Sequence, residues 1–261
     1  MSVRERRHLL ILGGTAEARI LAERAIAVFG ERLHVTTSLA GRTRAPAALA
    51  GEVRRGGFGG PEGLAAYLRH TAIDMVIDAT HPFATQISPA ASRACRDTSV
   101  PLLLLARPGW SPEPGDRWIE VGSAVEAATI LPTLGRCAFL TIGHAEIEAF
   151  AGVVDVHFVV RLVDPPATPL PLGSYQLIIA RGPFAPDAEG RIMVQHAIDV
   201  VVAKASGGDA TAAKLMAARQ LAIPVLMLRR PEKTHTNRVG SVDEALSWIE
   251  LENRQPLEIE R

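Results

Sequence analysis

Short apolar runs alternate with amphipathic stretches along most of the chain. In the first half the runs are HLLIL at 8–12, LHVTTS at 33–38, DMVIDA at 74–79 and PLLLLA at 101–106. Helical periodicity fills 16–29, 61–70 and 84–96. Strands separated by helices pair in parallel through right-handed crossovers. Runs without polar alternation suit a sheet buried on both faces. The segment 107–117, RPGWSPEPGDR, is too rich in proline and glycine for helix or strand and reads as a linker. The alternation then resumes at 137–143, 156–163, 175–180, 199–204 and 223–230, and SVDEALSWIE at 241–250 predicts a last helix. The tail beyond it has no pattern that would tie it to a core.

An internal echo divides the chain. VPLLLLARP at 100–108 is matched by IPVLMLRRP at 223–231, each after an alanine-rich helix. The pattern therefore predicts an α/β protein of two Rossmann-like lobes with mostly parallel sheets and a cleft between them. The expected domains are 1–108, the dinucleotide-binding lobe, and 109–261, a second α/β lobe that includes the C-terminal helix.

Composition narrows the classes. Lys and Arg total 28 and Asp and Glu total 28, so the formal net charge is zero. That argues against a nucleic-acid partner, because such binding depends on neutralising phosphates. No run approaches the ~18 apolar residues of a membrane span. The start, MSVRERRHLL, lacks the apolar core of a signal peptide. Cys95 and Cys137 have no metal-type spacing and read as buried thiols of a reducing compartment. The expectation is a cytoplasmic protein with no metal, no membrane and no nucleic acid, as a monomer or weak oligomer.

Candidate chemistry begins at HLLILGGTAEARILAERA, 8–25, where an apolar run ends in Gly13-Gly14-Thr15 and a helix begins at once. Such a turn aims free N–H groups and the positive helix end at whatever lies above it. The common dinucleotide fingerprint is G-x-G-x-x-G/A. Here Thr15 takes the second glycine's place, with its hydroxyl a further phosphate ligand, and Ala18 supplies the small last residue. An NAD site uses an acid about 20 residues on, for the ribose 2′-hydroxyl. This chain offers Ser38, Arg42 and Arg44 instead, with no acid between Leu33 and Gly51. A hydroxyl with two guanidiniums suits a 2′-phosphate, which points to NADPH/NADP; a solvated basic loop is the alternative. Thr80, His81 and Pro82 fall where the third run gives way to a helix, at the carboxyl edge where open α/β sheets bind ligands. A lone histidine there is as readily a packed residue as a functional one.

In the second half, VVVAKASGGDATAAKLMAARQL places Lys204 at the end of an apolar strand, facing a cleft and not a core. Ser206-Gly207-Gly208 forms a second anion cradle, with Asp209 as a helix cap; an ordinary capped turn with a solvated lysine is the alternative. Arg107, Arg161, Arg181, Arg229 and Arg230 also collect at predicted strand ends. A cleft lined by arginines suits a substrate with several carboxylates, which the guanidinium fork binds bidentately. No Ser/His/acid triad pattern, H-E-x-x-H or P-loop occurs.

Taken together, LGGTAEAR, TTSLAGRT, GGFGGPEGLAAYL, DATHPFATQIS, RPGW, ARGPF and AKASGGDATAAKLMAARQLAIPV resemble the precorrin-6A reductase family of cobalamin biosynthesis. The resemblance runs in order from about residue 8 to 231. It implies NADPH-dependent reduction of one double bond of the precorrin-6A macrocycle to precorrin-6B, with hydride added at C19 and a proton at C18. The substrate so implied is a tetrapyrrole polycarboxylate, carrying acetate and propionate chains around its ring. The carry-over places Gly13, Gly14, Thr15, Ser38, Gly41, Arg42, Thr80 and His81 at the cofactor. It places Lys204, Ser206, Gly207, Gly208 and Asp209 on the substrate side; Arg107 and Arg181, from the predicted strand ends, are the further candidate carboxylate ligands. Lys204, His81 and a bound water are the candidates for proton delivery. Two other readings stay open: an NADP-linked reductase of another polycarboxylate, and a non-catalytic nucleotide sensor.

Overall fold

The computed structural model describes residues 6–41, 49–233 and 237–254. The chain falls into two units, one made of residues up to Arg107 with those from Pro231 onward, the other of Pro108–Arg230. The first unit starts with β1 (Arg7–Leu12), α1 (Ala16–Phe29), β2 (Leu33–Leu39), β3 (Glu52–Arg55), α2 (Gly60–His70), β4 (Met75–Asp78), α3 (Ile87–Thr98) and β5 (Leu102–Leu105). The second holds β6 (Trp118–Val121), α4 (Ala124–Ile130), β7 (Cys137–Leu140), β8 (His157–Leu162), β9 (Tyr175–Ile179), α5 (Pro186–Gln195), β10 (Val200–Lys204), α6 (Ala213–Gln220) and β11 (Val225–Leu228). The chain then returns to the first unit with β12 (Arg238–Val239) and α7 (Val242–Arg254).

Both sheets have six parallel strands and the same plan: β12-β5-β4-β1-β2-β3 and β6-β11-β10-β7-β8-β9. In each, the sixth position is filled from elsewhere in the order of the chain. β6, made before the rest of the second sheet, pairs with β11, and β12, made after it, pairs with β5.

Local sequence explains the elements. Thr15 caps α1, its Oγ1 accepting from Ala18 N at 3.1 Å. The helix buries Ala18, Leu21, Ala22, Ala25 and Phe29, the stripe a 3.6-residue repeat creates. That stripe meets Leu9, Ile11, Leu33 and Val35 on one sheet face, together with Ala245, Leu246 and Ile249 of α7. The other face, through Leu10 and Leu12, packs on Leu64 and Leu68 of α2 and Ala91 and Ala94 of α3. In the second unit Phe139, Val159, Val201 and Ala203 pack on Met193 of α5 and Leu215 and Ala218 of α6. Each fully buried leucine of this kind contributes about 1.5–3 kcal/mol.

Several expectations are corrected. The C-terminal helix, expected with the second lobe, packs on α1 in the first unit, so 231–261 leaves the 109–261 domain. β3, β6 and β12 escape the pattern because EVRR, WIEV and RV are short and largely polar or half-exposed at sheet margins. The segment 107–117 has no helix or strand but is braced: Arg219 Nε donates to Asp116 Oδ1 at 2.9 Å and Nη1 to Glu113 Oε2 at 2.6 Å. Burial pushes the Asp116 carboxyl up, but the bonds and charge from Arg219 and the Glu113 N–H outweigh it and hold it below the usual range. Cys95 is buried as expected, whereas Cys137 is half-buried. No helix among the described residues is long and apolar enough to cross a membrane.

Candidate functional site

The strand order reverses between β1 and β4 in the first sheet and between β7 and β10 in the second. Ligands of open α/β sheets bind outside the carboxyl ends at such a reversal. Each unit therefore has one place to look.

In the first unit that place is ringed by Gly13, Gly14 and Thr15. Gly13 is required by packing, since a Cβ there would lie 2.8 Å from Thr37 Cγ2. Its N–H donates to Ser38 O at 2.9 Å, tying the turn to β2. Gly14 has φ +110 and open space around it, the conformation that lets a ligand approach the backbone. The N–H groups of Gly14 and Thr15 donate to no acceptor among the described residues, so the turn retains the cradle chemistry. The hydroxyl of Thr15 does not serve as expected. It donates to Ala79 O at 2.7 Å while capping α1, so its proton is engaged in holding the turn.

Ser38 is buried at the end of β2, and Gly41 follows with φ +76. Arg42 and Arg44 lie outside the described residues. Beside Ser38, in register on β3, stands Arg54, which sequence reasoning missed. Its Nη1 donates to Gly56 O at 2.6 Å and Ser38 Oγ at 3.4 Å, its Nη2 to Gly57 O at 2.8 Å, and its guanidinium lies 3.8 Å over the Phe58 ring. The signal was the single basic pair in EVRR, placed before a glycine-rich turn.

At the end of β4, Asp78 is fully buried. Its Oδ1 accepts from Thr80 N at 3.0 Å and Thr80 Oγ1 at 2.5 Å. Lys233 completes the group, its Nζ 2.8 Å from Thr80 Oγ1 and 3.4 Å from Asp78 Oδ2. The Thr80 hydroxyl proton is thus engaged by Asp78. His81 is half-buried, and its Nδ1 accepts from Phe83 N at 3.2 Å. A neutral ring so held carries its proton on Nε2. Lys233 was not foreseen, because it sits more than a hundred residues away in an unpatterned loop.

Arg107 also belongs here. Its Nη1 contacts both oxygens of Glu17, at 3.0 and 2.8 Å, in the first turn of α1. The expected substrate arginine is therefore in an ion pair within the first unit.

In the second unit, Gly143 (φ +86) turns the chain from β7 into a 3-10 segment, His144–Phe150. It carries Glu146 to the end of β10, where Lys204 Nζ lies 2.5 Å from Glu146 Oε1. Lys204 is half-buried, and Glu146 Oε2 is buried with no hydrogen-bond partner among the described residues. Glu146 was missed because HAEIEAF reads as an ordinary amphipathic turn. Past Lys204, Ser206 is buried and Gly207 has φ +68, where a Cβ would lie 2.1 Å from Pro108 O. The carbonyls of this loop are held from one side. Arg230 donates to Ala205 O at 3.1 Å and Ser206 O at 2.9 Å, and Trp110 Nε1 donates to Gly208 O at 3.1 Å. The N–H groups of Gly207 and Gly208 donate to nothing among the described residues.

Other expectations fare differently. Asp209 is exposed and caps no helix through its side chain; a 3-10 turn, Asp209–Thr211, intervenes before α6. Arg161 does not line a cleft. It is buried against Glu189 Oε1 at 2.5 Å and over Phe184 at 3.8 Å. Arg230 braces the 205–208 backbone instead of presenting its fork outward. Arg181 and Arg229 are exposed.

The comparisons agree with one another. A family model described as precorrin-6x reductase CbiJ/CobK matches residues 8–250. The chain is 48% identical over 242 residues to a precorrin-6A reductase of Rhodococcus erythropolis, spanning 92% of this chain and 96% of the relative. It is 40% identical over 241 residues to one of Rhodobacter capsulatus, spanning 92% and 95%. A cobalt-precorrin-6A reductase of Methanothermobacter thermautotrophicus is 29% identical over 247 residues, spanning 88% and 78%. Among solved structures, CobK precorrin-6A reductase matches with a TM-score of 0.90 at 39% identity, covering 97% of this chain and all of that one (100%).

Proposed function

The chain belongs to the precorrin-6x reductase family, and from that premise we propose that it reduces precorrin-6A in cobalamin biosynthesis, with NADPH as reductant, the first unit holding the cofactor and the second the macrocycle. The residues of the first unit fit a dinucleotide. Gly14 and Thr15 offer unengaged N–H groups at the start of a 14-residue helix while the Gly13 N–H ties the turn to β2, and Leu33–Leu39 carries no acid to oppose a 2′-phosphate. Ser38, Gly41, Arg42 and Arg44 are assigned to the adenosine end, and Thr80 and His81 to the edge beside the pyrophosphate and nicotinamide.

NADPH supplies the hydride when bound. The chain's own part is to hold the ring and deliver one proton. The observation that carries this reading is the Lys204–Glu146 pair with its orphaned Oε2. Lys204 presents an ammonium to charge that develops as the bond is reduced, and a proton leaves Nζ for the ring carbon beside the one that accepts hydride. Glu146 keeps the lysine in place, and its free Oε2 accepts a ring N–H or returns the proton. Gly207 and Gly208 N–H, Ser206 and Arg181 receive acetate or propionate groups. Hydride transfer needs no protein nucleophile, because the macrocycle is itself the acceptor.

The substrate assigned is the metal-free macrocycle. Relatives named for precorrin-6A are 40–48% identical, while that named for cobalt-precorrin-6A is 29% identical. The test is NADPH oxidation followed anaerobically with precorrin-6A, cobalt-precorrin-6A and no tetrapyrrole. Faster turnover with precorrin-6A supports the proposal. Oxidation that ignores the tetrapyrrole, or favours the cobalt form, defeats it.

A further inference from the structure

We propose that Arg54 on β3 reads the 2′-phosphate of the nicotinamide cofactor; this rests on the NADPH reading above and deepens it by naming a specificity residue. Three observations converge on it. The first is position. Arg54 is in register with Ser38 at the carboxyl edge of the sheet, the edge where sheets of this order receive the adenosine ribose.

The second is charge. Arg107, Arg161, Arg219, Lys204 and Lys233 each face a carboxylate, from Glu17, Glu189, Asp116, Glu146 and Asp78 respectively. Arg54 is half-buried as well, yet its partners are two carbonyls, a hydroxyl and an aromatic face. The acid nearest on its own strand, Glu52, is taken by His34 Nε2 at 2.9 Å. Arg54 therefore keeps a full positive charge with no counter-ion among the described residues. That is the arrangement of a cation waiting for an anion.

The third is preorganisation. A guanidinium has five N–H donors. The bonds to Gly56, Gly57 and Ser38 use three, leaving Nε–H and one Nη2–H. The plane is already fixed over Phe58, so little side-chain freedom is lost when a phosphate arrives. The turn that grips it is itself tied down, Gly56 N donating to Leu39 O at 2.9 Å. Ser38, half-engaged by Arg54, completes a hydroxyl-plus-fork pair for phosphate oxygens.

Calorimetric titration tests this without catalysis. Wild type, R54M and R54Q are titrated with NADPH, NADH, adenosine 2′,5′-bisphosphate and 5′-AMP, after a thermal melt has confirmed folding. R54Q retains an amide donor for the glycine carbonyls and serves if R54M proves unfolded. The expected result is a loss of roughly tenfold to a hundredfold for NADPH and the bisphosphate, the size of one or two charge-assisted bonds. NADH and 5′-AMP should move by less than about threefold. Equal loss for phosphorylated and unphosphorylated ligands would show that Arg54 only props the turn, and no loss would remove it from the site; either overturns the assignment. If wild type itself does not prefer the bisphosphate to 5′-AMP, the NADPH reading falls, and this inference with it. A wild-type preference that survives in the variants sinks Arg54 alone.

Discussion

Lys204 and Glu146 meet at 2.5 Å from the ends of two neighbouring strands, β10 and the turn after β7. Neither strand end alone makes this ion pair; their adjacency does. The lysine is thereby held half-buried at the reversal of the second sheet.

Lys204→Ala should therefore slow reduction of the macrocycle by about 10²–10⁴-fold, the usual reach of a positioned acid. NADPH affinity should stay within about twofold, near 0.4 kcal/mol. Glu146→Gln should keep the lysine's position but alter the pH profile of kcat. Steady-state and NADPH-binding measurements separate the roles: a rise in KM alone makes Lys204 a uniform binding contact. Normal kcat and KM in Lys204→Ala would remove it from the site.

Asp78 and Lys233 form a nearly buried pair beneath the Thr80–His81 loop. Lys233→Met leaves the carboxylate without its cation and should cost about 3–5 kcal/mol in denaturant unfolding. The double variant with Asp78→Asn should recover much of that. If the single change costs under about 1 kcal/mol, the pair is solvated in the folded protein.

Gly207→Ala meets two obstacles, the left-handed φ of +68 and Pro108 O at 2.1 Å from the new Cβ. The first costs about 1–2 kcal/mol, and the second displaces the 206–208 loop. Weaker substrate binding with unchanged NADPH affinity is the expected pattern. Gly14→Ala, strained at φ +110 but unobstructed, should do the reverse.

Burial, and then the charge of Asp78, push the Cys95 thiol up to about 12. Cys137 is raised as well, by burial and by Asp199. Both should resist alkylation at pH 8 in the native protein and react on unfolding. An unfolded cysteine ionises near pH 8.5, so the folded state holds the extra proton above that point. Stability should fall as pH rises from about 9 towards 12. Rapid native labelling of Cys95 would contradict its buried position.

The repeating strands and the α1 stripe were legible because a buried parallel sheet leaves continuous apolar runs and a helix leaves a 3.6-residue period. β12 was not, since its assignment depends on pairing with β5 across the whole second unit. The strand-end positions of Gly13, Gly14 and Lys204 were legible because their local pattern already implies such an end. The positions of Glu146, Arg54 and Lys233 beside them were not, because each is set by a neighbour that only folding supplies. The same cause misplaced the Thr15 hydroxyl and Arg161, whose partners, Ala79 O and Glu189, come from distant segments.

The late arrival of β12 and α7 has a consequence for how the protein is made. As the chain leaves the ribosome, β1–β5 emerge with one sheet edge open and with the Leu21 side of α1 uncovered. The uninterrupted stretch Pro108–Arg230 is synthesised next and has all its strands. At about 5–20 residues per second the wait is on the order of 10 s. During that time the first unit is a nascent intermediate with exposed apolar surface, although its glycine turn was translated first. A premature stop after Arg230 would thus spare the unit translated last but one and disable the one translated first.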